Sequence, residues 1–351
     1  MKLKISLFFA LVLLVCQPVY AIKVSGLYQA TAPVSDESAE KRKPATRQAL
    51  IQVLIKLTGN RNIAKSGEIS GLLEQPDRFV QQFRYQQKQN ISEQVAKTGE
   101  IEKELWVQFD EATLNNAMRN YGLTIWGKER PSILVWLAHE KDNSRRLVSF
   151  EESPEYIAML DQHAAARGVS LLFPLLDLED TSKLRVSDVW ASFEEPLLNA
   201  SSRYESDVVL SAKLTQTTPT LWELQWTVYN NGAGMSWTSQ GQIAEIALEE
   251  GINELADRLA SEYVTSVSGG TETLELAVTG IKSVDDYAKA LSYLQSIQAV
   301  TEVQVKQVKE SEVLFEIISH GGIAAVNKTI TLGRTLEQLS NNEQLNYQFI
   351  R

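Results

Sequence analysis

Cysteine is all but missing: the chain of 351 residues holds one, Cys16, inside its first 21. Those residues read as an export signal, with Lys2 and Lys4 as a positive start, Ile5 to Val15 as an apolar stretch and Val19-Tyr20-Ala21 as a small-residue cleavage site. The mature chain is therefore expected to be exported and to begin at Ile22, cut after Ala21. Cleavage there leaves no cysteine and excludes a disulfide framework, but 351 less 21 leaves 330 residues, enough to bury cores of their own. A lipid on Cys16 would need a small residue before it, and Val15 is branched. Long apolar runs are missing too. The leader's run is about eleven residues against the roughly twenty that cross a hydrocarbon core, so no stable membrane anchor is expected.

Histidine is scarce, and His139, His163 and His320 lie far apart with no HExxH or CxxC spacing near them, so neither a metal nor a cofactor is expected. No GxSxG elbow offers a catalytic serine, and no glycine-rich phosphate loop occurs. Gly232-Ala233-Gly234 comes nearest, yet no helix start follows it, and it reads as a turn. Excess positive charge is absent: 34 basic against 44 acidic residues give −10, and −12 once Lys2 and Lys4 are removed, which argues against nucleic acid as a partner. What is present is ordinary globular composition, 44% hydrophobic and 22% charged.

Hydrophobic period divides the mature chain into three segments of an α/β and α+β multidomain protein. Residues 22–130 give a strand over Val24 to Ala32, a helix over Pro44 to Thr58 stopped by Gly59, strands near Phe79 to Gln87 and Leu105 to Phe109, and a helix over Glu111 to Asn120. Residues 131–264 read as a central α/β unit. Ile133 to Leu137 and Val169 to Phe173 are strands buried on both faces, and Ser153-Pro154 opens a helix that ends at Gly168. Two alternating strands then form a hairpin about Thr218-Pro219, and a helix striped by Leu248, Ile252, Leu255 and Leu259 closes the unit. After a linker at Ser266–Gly270, residues 272–351 follow the order βαββαβ, with Ser283 and Asp286 capping the first helix, and suggest a ferredoxin-like plait. Ile323 to Leu332 carries the β-branched content of a strand as well as the pattern of a helix.

Most of the paired acids, such as Glu151-Glu152 and Glu194-Glu195, point apart on a helix and read as solvated faces. Lys41-Arg42-Lys43 is at most a weak preference for anionic lipid. The stretch Phe173 to Asp180, followed by Ser187-Asp188-Val189-Trp190, lies after a buried strand, at the sheet edge where ligands tend to bind. Asp177, Asp188 and Trp190 are thus the candidate ligand- or partner-binding rim. The competing reading makes Asp188 the cap of a short helix and Trp190 core packing.

Leu57-Thr58-Gly59-Asn60-Arg61, Trp126-Gly127 with Arg130-Pro131, Leu134-Val135-Trp136-Leu137, Pro174 to Asp180, Ser187 to Trp190, and Leu255 to Ala260 together resemble the exported Gram-negative proteins grouped as domain of unknown function 2066. That resemblance implies a periplasmic setting and no activity. The central segment alone is similar in element order to the amino-terminal domain of the Tol-Pal translocation protein and to outer-membrane lipoproteins that activate peptidoglycan synthases or secrete curli. The analogy implies partner binding. The expected function is accordingly a non-enzymatic binding or adaptor role in envelope assembly, with an envelope protein as partner. The alternative is an enzyme or small-ligand carrier using the Asp177/Asp188 rim; an adaptor should show a flat or convex apolar patch, whereas the alternative needs a deep pocket around that rim.

Overall fold

The computed structural model describes residues 26–87, 103–141, 144–230, 233–264, 271–333, 335–339 and 345–350; the expected cleavage site at Ala21 and Ile22 lies outside them. Its first sheet has the order β1-β3-β2, all antiparallel, from β1 (Gln29–Val34), β2 (Val80–Gln87) and β3 (Lys103–Phe109). Helices α1 (Ala39–Thr58), α2 (Ser70–Glu74) and α3 (Glu111–Asn120) complete this unit. α1 begins five residues before Pro44 because Ser38 caps it, accepting from Lys41 N at 3.4 Å. Leu50, Val53, Leu54 and Leu57 of α1 meet Leu105, Val107 and Phe109 of β3 in the core.

That core ends at Ile125, and Trp126 belongs to the next one. The central sheet has the order β5-β4-β7-β8-β9, from β4 (Ser132–Lys141), β5 (Ser144–Leu147), β7 (Val208–Thr218), β8 (Leu221–Asn230) and β9 (Ala233–Gly241). The short β6 (Ser170–Leu172) runs parallel to β4 on the edge that β5 also uses. β4 and β7 are parallel, with Ile133 opposite Val208. Ile133, Val135 and Leu137 point toward α4 (Pro154–Arg167) and α8 (Ala244–Tyr263), while Leu134, Trp136 and Ala138 point toward a layer of three short helices, α5 (Leu178–Lys183), α6 (Val186–Trp190) and α7 (Glu194–Ser201). Burial on both faces is what makes the β4 sequence continuously apolar. The expected hairpin is a three-strand meander, since Gly234 and the residues after it pair as β9 with β8.

The last unit comprises β10 (Thr271–Thr279), α9 (Val284–Ser296), β11 (Val300–Lys309), β12 (Glu312–His320), α10 (Gly322–Leu332), β13 (Leu336–Gln338) and β14 (Leu345–Phe349), with sheet order β11-β12-β10-β14-β13. It departs from the expected βαββαβ plait at one edge. A strand entering straight from α10 would run antiparallel to β10, but β13 intervenes, reverses the chain and leaves β14 parallel to β10. The Ile323 stretch is helical. Gly321 and Gly322 turn into it with φ of 77° and 63°, and Ala325, Val326 and Ile330 form its buried stripe.

Candidate functional site

Asp177, Asp188 and Trp190 all lie in the α5–α7 layer, but their side chains are engaged locally. The Asp177 carboxylate caps α5, accepting from the backbone N–H of Glu179 and of Asp180 at 3.1 Å each, and Arg203 reaches the same group at 2.8 Å. Those hydrogen bonds, Arg203 first, hold its carboxyl below the usual carboxylate range. Asp188 reaches back to the N–H of Arg185 at 2.9 Å at the start of α6. Trp190 is half-buried, with Arg145 4.2 Å and Lys213 5.8 Å from its ring centroid. The structure therefore places the three in one layer and commits both acids to helix starts.

The group that holds this region together is Asp180, which is not one of the three rim residues. Asp180 has a fully buried side chain that accepts from the N–H of Leu176 at 2.9 Å, pairs with Arg203 at 3.2 Å and takes the hydroxyl proton of Tyr204 in a hydrogen bond. Burial, reinforced by that bond, pushes the Tyr204 phenol up to about 12. The signal was legible: Asp177-x-x-Asp180 is a capping pattern, and an acid three residues into a helix reaches back to the turn before it.

What the clamp presents is apolar. Leu176 is held at φ 53°, a left-handed conformation that costs a branched residue energy and persists only where its surroundings fix it. On either side Leu175 is 67% and Leu178 90% exposed. Ser192 repeats the arrangement at φ 53°, its carbonyl accepting from the Tyr229 hydroxyl at 2.6 Å, and the next residue, Phe193, is 55% exposed.

A second concentration of chemistry lies where the units meet. Arg130 is buried and donates to the carbonyls of Gly127, Gly168, Lys56 and Trp126 at 2.7–3.0 Å, with its guanidinium 4.1 Å over the Trp126 ring. Arg167 joins the carbonyl of Gly59 at 2.7 Å to Asp257 at 2.6 Å and Asn253 at 2.9 Å. Gly59 must be glycine there: its φ is 69°, and a Cβ would stand 2.3 Å from that of Ala260. Three of the sequence motifs, around Gly59, Trp126-Arg130 and Asp257-Ala260, thus form one joint between the first two units. Beyond it the last unit closes a cleft over residues 125–129 and the end of α8.

A profile of a family described as Domain of unknown function (DUF8605) matches residues 21–127, the first unit with Trp126 and Gly127. No curated protein matches the chain. A solved chain titled "Crystal structure of uncharacterized protein" is 9% identical, covering 38% of this chain and 92% of that one, at a TM-score of 0.19. Among the described residues the fold is mixed α/β, with three sheets.

Proposed function

We propose that the protein is an exported, non-enzymatic binding protein of the cell envelope that docks a protein partner on the α5–α7 layer. The observation that carries this is Leu178, 90% exposed at the first position of α5, just after a turn whose shape is set by the buried Asp180. Leu178, with Leu175 on the other side of the fixed turn, offers an apolar anchor already held in place, and such a rigid anchor binds at low entropic cost. Export rests on the leader sequence, and an envelope setting on the resemblance of the six motifs to the exported family grouped as domain of unknown function 2066. The likeness of the central unit to the Tol-Pal translocation protein's amino-terminal domain, and of the last unit to a ferredoxin-like plait with an inserted strand, fits a binding role and adds no chemistry. The test is a photo-crosslinking residue at position 178 in cells, with exposed Thr217 as the control position. A partner band from 178 that is lost in Leu175→Ser, with thermal stability unchanged, is expected. Equal bands from 178 and 217, or no band from either, would reject the reading.

A further inference from the structure

We infer that the cleft where all three units meet binds a compact oxyanion, a carboxylate or phosphate group. The inference is independent of the docking surface proposed above. The enclosed part of the cleft is about 60 Å³, room for about four waters or for one such group with its few heavy atoms. In a chain with net charge −10, this lining carries Arg119, Lys128 and Lys328 against a single acid, Glu129. Lys128 is paired with Glu111 at 2.7 Å. Arg119 and Lys328 have no carboxylate partner among the described residues: Arg119 donates to the Asn116 amide oxygen at 2.8 Å, and Lys328 to the carbonyl of Glu262 while lying 4.7 Å from the Tyr263 ring centroid.

Two residues of the same lining carry a ring nitrogen without a hydrogen-bond partner among the described residues. Trp126 is only 2% exposed, and its indole N–H, which can only donate, meets no partner among them; Nδ1 of His320 is also buried without one and is a donor only in the form that carries its proton. A buried donor left unpaired is unfavourable and normally signals a missing acceptor. An oxyanion accepts at every oxygen, so one ligand can neutralise the two cations and supply acceptors to this wall, whereas a cation would worsen the charge balance. Ile125 and Leu332 beside it lower the local dielectric and strengthen the attraction. Because the lining is drawn from all three units, the bound ion would also tie the last unit to the other two.

The mature chain should be titrated with sodium phosphate and, separately, sodium acetate, at ionic strength held constant with sodium chloride, following the heat of binding and the ring-nitrogen shifts of the three histidines. Saturable binding of at least one anion is expected, with His320 shifting and His163 not. Arg119→Met and Lys328→Met should each weaken it about tenfold, the loss of one charge-assisted hydrogen bond. The stronger anion identifies the head group. No saturable heat with either anion, a His320 resonance that stays in place, or undiminished binding in both folded variants would overturn the proposal and leave the cleft to water.

Discussion

Asp177 and Asp180 stand three residues apart on one helix turn and differ in what surrounds them. Asp177 faces water, and asparagine keeps the cap while losing only the solvent-screened pair with Arg203, so Asp177→Asn should fold with a melting midpoint slightly below that of the parent. Asp180 is sealed from solvent and satisfies Leu176, Arg203 and Tyr204 together, so Asp180→Asn should cost about 1.5–3 kcal/mol. Denaturant unfolding of both variants separates the two, and an equal loss would refute the assignment. Lys56 adds a pH dependence. Burial, followed by the like charge of Arg130, pushes its ammonium down to about 8. The unfolded chain then holds the proton more tightly than the folded one, so this group's contribution is lowest below pH 8 and rises as pH climbs toward the ordinary lysine value. Measured against Lys56→Met, the parent should gain stability between pH 8 and 10; a gap that is flat or shrinks would contradict it.

Helix α8 shows how an element can be read correctly and its packing missed. Leu248, Ile252, Leu255 and Leu259 mark its buried stripe in the sequence, but Gly251 between them looks like a weak point. In the fold a Cβ there would lie 2.2–2.4 Å from the Trp226 indole, whose N–H is fixed by Ser239 at 2.8 Å. Gly251→Ala should therefore destabilise by roughly 1–3 kcal/mol, although alanine is the better helix former; a stabilised variant would show that Trp226 can yield. The same limit explains the other misses. A continuous apolar run identified β4, and helical period with its stop at Gly168 identified α4, since both signals are carried by the element's own residues. Neither signal could show that β9 pairs with β8 or that β13 turns β14 parallel to β10, because those outcomes depend on partners distant in sequence. The commitment of the Asp177 and Asp188 carboxylates to helix starts is, by contrast, legible in sequence, because each accepts from a backbone N–H no more than three residues away.

The whole molecule is tied unequally. Between the first two units Arg130 and Arg167 together satisfy carbonyls from α1, α4, α8 and the connector, and the chain passes from one core to the next between Ile125 and Trp126. The last unit is held more lightly, for instance by Lys328 on the Glu262 carbonyl at an exposed site and by Gln298, 3.3 Å from where a Cβ on Gly127 would lie. Cooperativity follows the buried joint, because a guanidinium that serves four carbonyls cannot leave one partner without stranding the others. Calorimetry should accordingly give two transitions, one for residues 26–264 together and one for the last unit. Arg130→Met should split the first into two and lower it by several kcal/mol, about 1–3 for each carbonyl left unpaired. Arg130→Lys should not rescue it, since one ammonium cannot reproduce a planar fork directed at four acceptors. A single unfolding step in the parent, or an undivided first transition in Arg130→Met, would show that the units are coupled by something other than this arginine.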